Sequence, residues 1–134
     1  MSTSETRTPP TPLDRRRVAC GAASLVMEGR MVAVPIVPAF HWNDPDIGIV
    51  TARGALVARR WGKVHAYANL CRHIPLALDM GDGEVSTADG RHFLCHHHGA
   101  RYRIEDGGCV SGPCDGASLI PLDVEIVDGE LCFG

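Results

Sequence analysis

Two short stretches of the chain bring metal-binding side chain types together. "NLCRHIP" carries Cys71 and His73, and "FLCHHHGARY" carries Cys95 followed by His96, His97 and His98. Thiolate is a soft ligand and imidazole a borderline one, a combination suited to iron–sulfur or zinc chemistry. One residue separates Cys71 from His73, a tighter gap than structural zinc sites usually show. That gap suits a two-metal centre in which neighbouring ligands are directed to different metals. Residues 74–94 separate the two halves, so each of two loops offers a thiol and an imidazole. On residue types alone, zinc held by the same four residues and a solvated histidine cluster without metal both stay open.

Such loops need a scaffold, and the sequence points to strands. "MVAVPIV" (residues 31–37), "ALVARRWGKVHAYANL" (55–70) and "LIPLDVEIVDGELCFG" (119–134) are rich in Val, Leu and Ile with partial alternation. Turn pairs punctuate the chain at Trp61-Gly62, Asp82-Gly83, Asp89-Gly90, Asp106-Gly107 and Asp128-Gly129. Pairs of this kind between apolar runs favour hairpins and an antiparallel all-β domain. Residues 41–54 read as a loop or an extra hairpin. Residues 1–14, rich in Thr, Ser and Pro, read as a disordered tail.

Composition narrows the function. The chain has 134 residues, 45% of them hydrophobic, which is room for one domain with its own core, taken here as 15–134. A net charge of −3 speaks against nucleic acid as partner, because phosphate binding needs a basic surface. Apolar runs fall short of a membrane span. The arginines at 15–17 followed by small and apolar residues make a poor export signal, so the cytoplasm is the expected setting. Six cysteines there are expected as thiols or metal ligands rather than a disulfide framework.

The two boxes, "CRH" and "CHHHG", resemble the pattern of Rieske iron–sulfur domains: Cys-x-His, an intervening hairpin, then Cys-x-x-His-Gly. "VARRWGKVHAYANLCRH" is similar to the strand-turn-strand entering the first box of that family. "HGARYRIEDGGCVSGPC" is similar to the strand, turn and proline-containing covering loop after the second, and "PLDVEIVDGELCFG" to the closing hairpin. The resemblance covers residues 18–134, with 41–54 looking like an insertion. It implies an antiparallel Rieske-type β-sandwich with a small cluster-binding subdomain inserted. The basal part would be 18–68 and 118–134, and the cluster-binding part 69–117.

The resemblance also implies one [2Fe-2S] cluster per chain. Cys71 and Cys95 would bind the inner iron, and His73 and His98 the outer. Family spacing selects His98, the histidine before Gly99, and leaves His96 and His97 as exposed neighbours. Respiratory members carry a further cysteine in each box, linked as a disulfide; Leu76 and His97 stand there instead. Ala100 replaces a serine that gives a hydroxyl to the cluster, while Tyr102 matches a tyrosine that bonds to a ligand cysteine. Pro75, lacking an N–H, stands where glycine is usual. Fewer donors imply a low potential for a Rieske centre. Cys109 and Cys114 flank "VSGP" in the covering loop and are read as buried thiols, with a disulfide between them as the alternative; Cys20 and Cys132 are read as buried thiols.

These features imply a Rieske-type ferredoxin, a one-electron carrier from a reductase to a terminal oxygenase or similar acceptor, without substrate chemistry of its own. The alternatives are a small subunit of a larger redox enzyme, and a zinc-bound or cluster-free β interaction module.

Overall fold

A computed structural model describes residues 10–13, 18–72, 76–79, 81–97, 99–112 and 116–134. Its strands are β1 (Thr11–Leu13), β2 (Val18–Ala22), β3 (Met31–Asp44), β4 (Gly48–Arg60), β5 (Lys63–Ala68), β6 (His92–Leu94), β7 (Arg101–Arg103), β8 (Cys109–Ser111), β9 (Val124–Val127) and β10 (Glu130–Phe133). They form three sheets, ordered β1-β3-β4-β5, β2-β10-β9 and β6-β7-β8. Each strand pairing within these sheets is antiparallel. The expected all-β antiparallel architecture is therefore present.

Two of the anticipated turn pairs close two-residue hairpins. Trp61 (φ 53°) and Gly62 (φ 73°) join β4 to β5, where Arg60 pairs with Lys63. Asp128 (φ 50°) and Gly129 (φ 80°) join β9 to β10, where Val127 pairs with Glu130. Positive φ at both central residues matches the right-handed twist of the flanking strands, which explains why Gly takes the second place in each.

The expectation for residues 41–54 resolves into a hairpin, with β3 running to Asp44 and β4 starting at Gly48. It is no peripheral addition. Phe40, Trp42, Val50 and Ala52 are all buried in the basal core, and Phe40 meets Trp42 edge to face at 6.2 Å. Beyond the β3 irregularity between Pro35 and Phe40, alternation resumes: Trp42 turns inward while His41 is half-buried. Residues 11–13 correct the expected tail. They pair with His41–Asn43 as an edge strand, held mainly by backbone bonds that a side chain composition does not reveal.

β4 and β5 are the shared wall of two cores. Ala55 and Val57 face the basal core with Ile36, Leu131 and Phe133, whereas Leu56 and Ala58 face a second core with Phe93, Tyr102 and Leu119. β5 splits likewise, Ala66 and Ala68 to the first side and Tyr67 to the second. Successive strand residues point to opposite faces, so a strand buried on both reads as a continuous apolar run. The second core belongs to the β6-β7-β8 sheet, inserted between β5 and β9 as expected for the smaller part. Tyr67 fastens the two parts together, donating from its hydroxyl to the Ile104 carbonyl at 2.6 Å.

Candidate metal centre

The first box begins just past the end of β5. Asn69 is buried and braces it from three directions. Its backbone N–H donates to Gly54 O at 2.9 Å, its side chain oxygen accepts from Leu78 N at 2.8 Å, and its Nδ2 donates to Asp79 Oδ1 at 3.1 Å. Cys71 N donates to Leu76 O at 2.7 Å, closing the loop over residues 71–76. Asp79 Oδ2 accepts from Gly81 N and Gly83 N at 3.2 and 3.0 Å. Partial burial disfavours the Asp79 carboxylate, but the bonds from Asn69, Gly83 and Gly81 outweigh it and hold its pKa below the ordinary 3.8.

The second box is the connection between β6 and β7. Phe93 pairs with Tyr102 and Leu94 with Arg101. Cys95 N then donates to Ala100 O, and Gly99 N to Cys95 O, both at 2.9 Å. Gly99 stands at φ 78°, the left-handed conformation that returns the chain after the histidines. His96 N donates to Leu78 O at 2.9 Å, joining the second loop to the stretch after the first.

These elements bury both cysteines of the pattern in one apolar cluster. Cys71 is 2% exposed and Cys95 0%, both are free of disulfides, and both belong to the second core. Tyr102 is also fully buried, with its hydroxyl 3.4 Å from Cys71 Sγ. Arg72 N donates to that same hydroxyl at 3.0 Å, and a deprotonated Cys71 would leave the tyrosine as the donor to sulfur. Burial, the bond to Cys71 and the charges of Cys71 and Cys95 push Tyr102 far above the usual tyrosine range, against a weaker opposing effect of Arg72 N–H. It stays a neutral donor. A buried cysteine sulfur with an aromatic hydroxyl beside it could serve as a metal ligand, the hydroxyl then donating to it.

The covering segment packs directly on the second box. Gly112 (φ 91°) lies so close that a Cβ there would sit 2.8 Å from Ala100 Cα and 3.1 Å from Gly99 O. Of the two readings offered for Cys109 the disulfide holds, since Cys109 is disulfide-bonded. Cys132 is free and buried, as expected. Ala100 is wholly buried, and His96 and His97 are exposed.

His73 and His98, with Pro75 and Cys114, lie outside the described residues. Among the described residues no three of His, Cys, Asp and Glu come together as a metal site. Three residues around the loops escaped the sequence reading: Asn69, Asp79 and Asp44. Asn69 precedes the box by two positions, and its burial was the missing signal. Asp44 pairs with Arg72 across 28 positions and leaves no mark in local sequence.

A family model described as Rieske [2Fe-2S] domain matches residues 40–126. Among curated proteins no match was found. The fold is similar to that of the ferredoxin of carbazole 1,9a-dioxygenase from Nocardioides aromaticivorans IC177, with TM-score 0.60 and 22% identity over 92% of this chain and 97% of that one. It is also similar to the Sphingomonas yanoikuyae B1 ferredoxin, at 0.61 and 23% over 88% and 97%. The terminal oxygenase of carbazole 1,9a-dioxygenase from Novosphingobium sp. KA1 gives 0.63 and 21%, covering 88% of this chain but 29% of that one. At these identities the likeness speaks for the fold. The family match, spanning both boxes and the strands that carry them, places this chain in the Rieske [2Fe-2S] domain family.

Proposed function

We propose that the chain is a one-electron carrier whose [2Fe-2S] cluster is held by Cys71, His73, Cys95 and His98, taking an electron from a reductase and delivering it to a terminal oxygenase or similar acceptor. One observation carries this reading. Cys71 and Cys95 are buried and outside any disulfide, while Leu76, Ala77, His96, His97 and Gly99, in or near the two boxes, are exposed. A centre built there is shielded on its cysteine side and approachable from its other side. The residues fit the group: two cysteines share one buried apolar core, with the Tyr102 hydroxyl 3.4 Å from the sulfur of Cys71.

When bound, the cluster accepts and releases one electron. The chain's own residues hold it, exclude water on the cysteine side and set its potential through donors and charges nearby. One of the similar ferredoxins belongs by name to a dioxygenase system, which supports an oxygenase as acceptor here. A second reading, a subunit or domain of a larger redox enzyme, draws on the likeness to part of a much longer terminal oxygenase. A cytoplasmic setting accompanies the first reading, and the Cys109 disulfide weighs against it, since such bonds seldom persist in a reducing compartment.

The test is iron content and the electron paramagnetic resonance of reduced protein in six alanine variants. Cys71, His73, Cys95 and His98 variants are expected to lose the cluster, whereas His96 and His97 variants keep it. Near-normal iron in His98→Ala with loss in His97→Ala would overturn the ligand assignment. Stoichiometric reduction by a ferredoxin reductase, without substrate turnover by the chain alone, is expected of the carrier. Oxygen-dependent hydroxylation of a substrate by the isolated chain, with only an electron source supplied, would refute the carrier reading.

A further inference from the structure

Arg72 lies between Cys71 and His73, yet it is buried. Its side chain is 7% exposed and that of its partner Asp44 only 2%, with Nη2 and Oδ2 3.4 Å apart. Nη1 donates to Ser118 O at 2.8 Å. Asp44 comes from the tip of the β3–β4 hairpin, where its other oxygen accepts from Asp46 N at 2.8 Å and Ile47 N at 3.3 Å. The backbone N–H of Arg72 holds the Tyr102 hydroxyl, as described above. One residue of the first box is thus fixed to three separate parts of the fold: the hairpin tip, the segment at Ser118 and β7.

A loop could be fixed by neutral side chains, so burying a guanidinium there needs a reason. An unpaired cation in this core would favour the more negative, reduced state of a neighbouring cluster, because a low dielectric makes charges felt over longer distances. A carboxylate would do the opposite. Held together, they give the loop a rigid fork of donors while their effects on the electron largely cancel. We propose that Arg72 and Asp44 are a charge-compensated pair of positioning residues, which anchors the first box and keeps its potential low by neutralising the cation beside the ligands. This rests on the ligand assignment proposed above.

The test compares midpoint potentials of the full chain by protein-film voltammetry, with the visible spectrum as a check on cluster content. Asp44→Asn leaves the cation uncompensated and is expected to raise the potential. Arg72→Gln leaves the carboxylate and is expected to lower it. Each shift should correspond to a change on the order of tenfold in the ratio of reduced to oxidised protein, about 59 mV for one electron. The double variant should return near the wild-type value. If the neutral variants do not load, Asp44→Glu and Arg72→Lys carry the test, because they keep the charges and should keep the potential at lower thermal stability. Shifts of the same sign in the two neutral variants, no shift in loaded protein, or a large shift in the charge-conserving pair would overturn the proposal. Wild-type protein without a [2Fe-2S] spectrum would instead overturn the ligand assignment, before any variant is compared.

Discussion

The Tyr102 hydroxyl accepts from Arg72 N at 3.0 Å and lies 3.4 Å from Cys71 Sγ, to which it is the donor once that sulfur is a thiolate ligand. A hydrogen bond to a sulfur gains strength when the sulfur becomes more negative, as on reduction. Tyr102→Phe is therefore expected to lower the midpoint potential. If the bond is worth about 1–2 kcal/mol more to the reduced state, the fall is about 40–90 mV. Voltammetry of wild type and variant at one pH measures it. Because Tyr102 ionises far above the ordinary 10.0, no tyrosinate step should enter the potential between pH 6 and 10.

Ala100 offers the reverse experiment. It is fully buried in the second core and stands where the respiratory branch places a hydroxyl donor. Ala100→Ser is expected to raise the potential by a similar amount, about 40–90 mV. A fall, or an unchanged value with the new hydroxyl placed against sulfur in a crystal structure, contradicts the donor argument.

Gly112 meets the second box too closely for a side chain. A methyl group there would press on Ala100 Cα at 2.8 Å while the backbone stays at φ 91°. Both effects oppose any residue with a Cβ, and together they are expected to cost about 2–4 kcal/mol in Gly112→Ala. Thermal unfolding should show the loss, and release of iron to a chelator should quicken, since the covering segment can no longer seat on the loop.

Asp79 makes the first box sensitive to acid. Its pKa is lowered in the folded chain, so the carboxylate contributes stability at pH above the ordinary 3.8 that is lost as pH falls through its folded value. Asp79→Ala is expected to destabilise by about 1–3 kcal/mol at neutral pH through the lost bonds to Asn69, Gly81 and Gly83. It should also flatten the acid limb of the stability curve. Denaturant midpoints taken from pH 6 down to 3 for both proteins check the slope and its sign.

At the alkaline end, Tyr67 and Tyr102 act together. Burial is the main cause that raises both, helped by Asp106 and Glu105 at Tyr67. The unfolded chain gives up these protons near pH 10, the folded one later. Stability should thus fall as pH rises beyond 10, and fall less steeply in Tyr67→Phe. Urea midpoints at pH 9, 10 and 11 would reveal it.

Local patterns carried much of this architecture. Asp128-Gly129 and Trp61-Gly62 announce their hairpins because positive φ at adjacent positions is a local demand, met by few residue types. The cysteine of each box stands out by residue type and spacing, and the fold buries both in the second core. For residues 41–54 a hairpin was one of the two readings, but its place in the core was not legible, because polar His41, Asn43 and Asp44 mask the inward alternation of Trp42, Val50 and Ala52. Asn69 and Asp44 do their work through partners brought near by the fold, so no window of sequence contains the interaction. For Cys109 the expected reducing compartment favoured the thiol, and the disulfide was the alternative that holds.

The doubly buried β4 strand sets a limit on how this molecule can be divided. Leu56, Ala58 and Tyr67 come from the basal strands yet form one wall of the core that holds Cys71 and Cys95. Excising residues 69–117 as a miniature redox module would leave those cysteines facing water where that wall stood. A slip of β4 by one residue would exchange what its two faces present, spoiling both cores at once. The metal loops and the frame that bears them should therefore melt in a single transition, and a useful miniature must keep the β4–β5 hairpin.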